Sequence, residues 1–128
     1  MKTASLFAAA AAFLAAAPAF ATSSIHCRTA RGPELWLGIG NEPGSGIFQA
    51  RIVNGREEIA TGETRGAPRV VQSLVNPRRL SLRLAPGGAR GTLASLAAVR
   101  RGVPYVGTFT WRGRTWPVRC FWDEDDEG

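Results

Sequence analysis

The stretch YVGTFTWRGRTWPVRC, Tyr105 to Cys120, decides the fold, because it reads as a complete β-hairpin whose two arms agree face by face. With Arg112 and Gly113 as a two-residue loop, Trp111 lies opposite Arg114, Thr110 opposite Thr115, Phe109 opposite Trp116, Thr108 opposite Pro117, Gly107 opposite Val118 and Tyr105 opposite Cys120. A four-residue loop over Trp111 to Arg114 gives the same register. Side chains alternate faces along a strand, so Tyr105, Gly107, Phe109, Trp116, Val118 and Cys120 share one face, predicted to be core. Val106, Thr108, Thr110, Thr115, Pro117 and Arg119 share the other, predicted to be mostly wet. Beyond residue 21 the chain holds eight aromatic residues, and Tyr105, Phe109, Trp111, Trp116, Phe121 and Trp122 are six of them. This segment therefore carries most of the large apolar area available to a core.

Outward from the hairpin, short apolar runs separated by turn residues recur at roughly ten-residue intervals, the pattern of an all-β sandwich or barrel. Glu34 to Gly40 is a strand with Leu35, Leu37 and Ile39 on one face, ended by a turn from Asn41 to Gly46. Gly38-Ile39-Gly40 is no nucleotide loop, since Pro43 stands where a third glycine is needed and no helix follows. Gly46 to Val53 and Arg56 to Thr61 flank Asn54-Gly55, a hairpin loop that sets Arg51 opposite Glu58 facing outward and Ala50 opposite Ile59 facing inward. Pro68 to Val75 is a further strand. After the Asn76-Pro77 turn, Arg79 to Leu84 alternates without a fault, with Leu80, Leu82 and Leu84 inward.

Thr92 to Gly102 fits two structures. Thr92 as N-cap, an Ala/Leu-rich interior, Arg100 and Arg101 in a last turn, and Gly102 followed by Pro104 would make a short helix over 92–101. A strand over Ala89 to Ala97 would pair across the Pro86-Gly87-Gly88 turn and complete a meander, and is preferred. The expected fold is all-β, a small antiparallel meander of about eight strands, barrel-like and incompletely closed. Pro117 has no N–H to offer on the side where the first strand would join. The last strand is therefore expected to be an edge, or the seam to be broken there.

Met1 to Ala21 has the parts of a secretory signal peptide: Lys2 in a positive n-region, an apolar run from Leu6 to Ala17, and Ala19-Phe20-Ala21 as a cleavage site, so the mature chain should begin at Thr22. Ser24-Ile25-His26 before Cys27 is not a lipobox, and no apolar run after the leader is long enough for a transmembrane segment. The expected domains are the leader 1–21, one domain over 22–122 and a disordered acidic tail over 123–128. The expected location is periplasmic or secreted.

Two cysteines follow the leader, Cys27 and Cys120. In an oxidising compartment they are expected to form a disulfide that would hold the barrel seam. One histidine, His26, and two cysteines cannot complete a four-ligand zinc site without carboxylates, so no metal and no cofactor is expected.

The body has fifteen arginines against five acids, a formal +10, and Asp123 to Glu127 add a run of five acids. Such a body attracts polyanions, which outside the cytoplasm are anionic lipid or polysaccharide of the envelope more than nucleic acid. Arg78, Arg79, Arg83, Arg100, Arg101, Arg112 and Arg114 cluster at turns and on an outward face, and form a candidate anionic-ligand surface with Trp111 adding stacking or cation–π contact. The plainer alternative is a solvated face that discourages edge-to-edge aggregation. No catalytic residues are assigned: His26 is the sole imidazole, and Ser73, Ser81 and Ser95 have no partner base.

The Gly107 to Cys120 segment, G-T-F-T-W-R-G-R-T-W-P-V-R-C, after an export signal and an early cysteine, resembles that of small uncharacterised secreted or periplasmic proteins of proteobacteria. These end in a Gly-Thr hairpin with Gly-Arg-x-x-Pro-Val-x-Cys. The resemblance implies a β fold and a compartment and no activity. A fainter similarity is to the periplasmic inhibitors of animal-type lysozyme, which implies a protein-binding module with an envelope partner. No matching inhibitory loop is present, and a basic enzyme would repel the +10 body.

The expected function is thus an exported non-enzymatic protein binding an anionic envelope component, with a hydrolase inhibitor or a purely structural envelope protein as alternatives. Non-reducing peptide mapping of the exported protein should recover Cys27 and Cys120 as one crosslinked pair. In the chain-entropy treatment a loop of roughly a hundred residues is stabilised by ~4.7 kcal/mol, so Cys120→Ala should lower the unfolding free energy by several kcal/mol.

Overall fold

The hairpin tip forms the predicted two-residue loop in the computed structural model, which describes residues 23–40, 46–62 and 64–125. Arg112 and Gly113 take φ of 54° and 75°, the pattern of a type I′ turn, whose twist matches that of the flanking strands. The arms, β8 (Tyr105–Trp111) and β9 (Arg114–Trp122), pair from Trp111–Arg114 to Tyr105–Cys120 in the expected register. The leader 1–21 with its cleavage point, most of the turn that begins at Asn41, and residues 126–128 of the acidic tail lie outside the described residues.

Seven strands precede them: β1 (Ser23–Arg28), β2 (Glu34–Ile39), β3 (Ile47–Asn54), β4 (Glu57–Ala60), β5 (Arg69–Val75), β6 (Arg79–Ala85) and β7 (Ala94–Arg100). All nine belong to one antiparallel sheet in the order β4-β3-β2-β1-β9-β8-β7-β6-β5, strongly curled into a half-barrel. The all-β, barrel-like and incompletely closed meander is therefore present, and residues 94–100 are a strand rather than the rival helix. Its inward residues Ala94, Leu96 and Ala98 are buried, and it supplies ladders to both β6 and β7's other neighbour, β8. A helix would have left both flanking edges without hydrogen-bond partners. The strand starts later than Ala89 because the chain is still turning there; Leu93 N–H donates to Leu84 O at 2.7 Å.

The break in the sheet is not where Pro117 suggested. β9 lies in the middle, paired with β1 from Ile25–Trp122 to Arg28–Arg119. β1 ends before it reaches Pro117, so the missing N–H removes no bond from that ladder. The edges are instead β4 and β5, which follow each other in sequence. β4 is short, and the start of β3 extends beyond it toward β5, where Ile47 N–H donates to Ser73 Oγ at 3.3 Å across the seam.

The β3–β4 loop also differs from expectation. Its central residues are Gly55 and Arg56, with positive φ at Gly55 (64°) alone, so Arg51 pairs with Ala60 and Ile52 with Ile59. A glycine at the first central position suits a type II′ turn. The shift is by two residues and leaves every side chain on its predicted face. Arg51 still reaches Glu58 diagonally, at 3.1 Å.

Inward residues form one core. A row of directly paired residues crosses it through Ile59, Ile52, Leu35, Cys27, Cys120 and Tyr105. Cys27 and Cys120 are disulfide-bonded, fully buried and 4.0 Å apart at Cα. The bond thus staples two neighbouring strands inside an intact ladder rather than spanning an open seam. Gly107 allows the closest strand approach nearby, since a Cβ there would lie 1.9 Å from Ala97 O. Phe109 is fully buried, whereas Trp116, 6.2 Å away between ring centroids, is only partly so.

Phe109→Ala should therefore cost about 3–5 kcal/mol in denaturant unfolding. Thr110→Ala, which loses an exposed hydroxyl pair with Thr115, should cost under about 1 kcal/mol. Equal costs would contradict the assignment of faces.

Candidate anionic-ligand surface

Two neighbouring turns at one end of the half-barrel hold four of the candidate arginines. In the β5–β6 turn, Asn76 Oδ1 accepts from the backbone N–H groups of Arg78 and Arg79, each at 2.8 Å. This side-chain mimic of a turn bond fixes both residues. Tyr105, buried below, anchors the turn by donating its hydroxyl to Asn76 O at 2.8 Å. In the β7–β8 turn, Arg101 N–H donates to Pro104 O at 2.8 Å, and the two turns are tied by Arg100 N–H to Arg78 O at 2.8 Å. Arg100 is held over the Tyr105 ring at 5.3 Å and donates from Nε to Gly102 O at 3.1 Å.

The sheet register brings a further arginine to this end. Arg79 pairs with Val99, Val99 with Val106 and Val106 with Arg119, so these four side chains form one row on the outer face. Arg119 lies 5.7 Å from the Phe121 ring. Arg78, Arg79, Arg101 and Arg119 make no ion pair with a described residue. Sequence reasoning put Arg119 on the wet face but did not select it. The hairpin register alone could not do so, because its proximity to Arg79 runs through β7 and β6.

The other candidates lie elsewhere. Arg112 and Arg114 flank the β8–β9 tip, and the seven residues of β8 put them roughly 20 Å from the basic turns. Arg112 is engaged there in a two-point ion pair with Glu57, one bond being 2.6 Å from Nη1 to Oε1 and the other joining Nη2 to Oε2. The pair joins the β8–β9 tip to the start of β4 and helps hold the curl. Arg114 lies 5.1 Å over the Trp116 ring. Arg83, midway along the outer face, donates to Gln72 Oε1 at 3.4 Å. The seven arginines thus do not form one surface.

Trp111 is also displaced from its expected role. It is 1% exposed, with Arg112 4.6 Å above its ring, and its Nε1 has no hydrogen-bond partner. It is a core residue beneath the hairpin tip, not a stacking platform for a ligand. The same inward alternation that buries Phe109 extends to Trp111.

On the far half of the outer face, charges pair locally. His26 Nε2 lies 2.9 Å from Glu34 Oε2, and its ring stacks on Trp36 at 4.6 Å. Arg51 covers the Trp36 ring at 4.6 Å. Of the acidic run, Asp123–Asp125 forms a 3-10 turn after β9, with Ser24 Oγ donating to Asp123 Oδ2. Among the described residues no helix is long and apolar enough to cross a membrane. No family model matches the chain, and neither a curated protein nor a solved structure matches it.

Asn76→Ala should release the β5–β6 turn. The expected cost is about 1 kcal/mol in chemical unfolding, since the two freed N–H groups are exposed and can turn to water. Retention on immobilised heparin should fall at the same time, because Arg78 and Arg79 lose their fixed positions.

Proposed function

We propose that this is an exported, non-enzymatic protein that binds an anionic envelope component through the basic end of its half-barrel. The observation that carries the proposal is the contrast between the two ends of the sheet. Arg78, Arg79, Arg101 and Arg119 gather without a carboxylate partner among the described residues, while Arg112 at the other end is neutralised by Glu57. Desolvating an unpaired guanidinium is costly unless an anion meets it, and several held within one small area present a ready-made anion field. Export rests on the leader and on a buried disulfide, which is compatible with an oxidising compartment. Arg78, Arg79, Arg100, Arg101 and Arg119 form the site; Arg83, Arg112, Arg114 and Trp111 are left out of it.

Polyanion binding of this kind weakens as salt rises, because exposed charges more than about 10 Å apart are screened at 0.1 M ionic strength. Heparin is a suitable probe. Replacing Arg78, Arg79 and Arg101 together by Gln should lower low-salt affinity about tenfold or more, a loss of at least 1.4 kcal/mol, and flatten the salt dependence. Replacing Arg112 and Arg114 by Gln should leave affinity nearly unchanged. If the two variants lose affinity equally, binding follows net charge and the site assignment fails.

A further inference from the structure

Beside the unpaired arginines lies an apolar strip that anion binding by itself leaves unused. Leu74, Val99 and Val103 are 43%, 40% and 52% exposed. Leu74, Val99 and the partly buried Val106 line a shallow groove of about 340 Å³ on the outer face, with Arg79 at its edge and no carboxylate in its lining. Val103 stands in the β7–β8 turn, next but one to Arg101. Single exposed apolar residues are ordinary on a protein surface, but Leu74, Val99 and Val106 share one lining with Arg79 at its rim, and apolar surface grouped in this way marks a contact.

We infer that this end of the molecule docks on the surface of a lipid bilayer containing anionic lipid. This rests on the anion-binding reading above and names its ligand as the headgroup layer of a membrane. The geometry selects that occupant over a soluble polyanion. A polysaccharide or polyphosphate would pair with the arginines and leave Leu74, Val99 and Val103 in water. At a bilayer the two sets of residues act together: guanidinium groups meet headgroup phosphates, while Val103 and the strip enter the boundary of the acyl chains. Arginine stems are long and apolar enough to lie along that boundary with their charged ends in the headgroups.

Shape and charge point the same way. The strip is on the outer face of a curled sheet, and a convex surface meets a deformable layer more fully than it meets a rigid partner. Of the acids described on the outer face, Glu34 on β2 pairs with Arg28 and is two strands from Arg119, and Glu58 is on the edge strand β4. Asp123, just past β9, is turned toward β1 by its bond from Ser24. No described carboxylate lines the groove beside Arg79, so the strip and the basic turns can meet a membrane together.

Vesicle flotation with the mature chain tests this, using phosphatidylcholine vesicles with and without phosphatidylglycerol, and heparin retention alongside. The protein should float with the phosphatidylglycerol vesicles and not with phosphatidylcholine alone. A variant with Leu74→Ser, Val99→Ser and Val103→Ser should lose vesicle affinity about tenfold or more while heparin retention is unchanged. Should that variant fail to fold, Val103→Ser alone, in an exposed turn, is expected to show a loss of about threefold. Unchanged vesicle binding by the apolar variants overturns the docking inference and leaves anion binding standing. So does retention on heparin by a protein that ignores the vesicles. Equal binding to both vesicle types overturns docking on anionic lipid, and failure to bind either heparin or vesicles overturns both readings.

Discussion

The pairing of β1 with β9, stapled by Cys27–Cys120, is the constraint on which the other parts depend. Each half of the molecule is a run of local hairpins, β1–β4 on one side and β5–β9 on the other. Within the sheet these halves meet along four residue pairs. Such a ladder is short, and its ends are 93 residues apart at the disulfide. The loop-closure entropy of that contact is large compared with the entropy of closing any of the turns. The covalent bond removes much of this cost from refolding the oxidised chain, and it does so at the centre of the core row. Curl then follows: with the halves fixed side by side, the β3–β4 loop can approach the β8–β9 tip and Glu57 can reach Arg112.

Local chemistry made the hairpins legible. Arg112-Gly113 sets a register that propagates over seven pairs, and Leu80, Leu82 and Leu84 leave no doubt about the face of β6. The β3–β4 turn was harder, because Asn54-Gly55 and Gly55-Arg56 are both acceptable loops and only the neighbouring ladder with β2 chooses between them. Strand order was not legible at all from Pro117. That inference assumed that β1 would run alongside the proline, whereas β1 departs after Arg28. Where a strand leaves its neighbour depends on the non-local sheet, and no single residue states it.

The candidate site divides in the same way. Arginines at turns can be seen in the sequence, but turns alternate between the two ends of a meander. Arg78 and Arg101 come from turns at one end, Arg112 from a turn at the other, and a strand length separates them. Arg119 joins the first group only through the row that passes along Val106 and Val99. Trp111 shows the opposite limit: next to a surface loop in the sequence, it is nevertheless on the inward side of the last strand position and ends in the core. Charge composition led to the expectation of a polyanionic partner. Only the three-dimensional row showed Val99 and Val106 lying between two arginines, Arg79 and Arg119, that have no ion pair with a described residue.

Because β4 and β5 are sequence neighbours at opposite edges of the sheet, the order of strands in space is the order in the chain cut at one place and rejoined at another. Residues 23 and 123 already lie together, through Ser24 and Asp123. A circular permutant that links these positions and opens the connection between Ala60 and Arg69 would run β5-β6-β7-β8-β9-β1-β2-β3-β4. Every strand would then pair with its immediate predecessor. Such a chain would have a much lower contact order and should fold faster from the reduced state, with the disulfide closing a short loop instead of a long one.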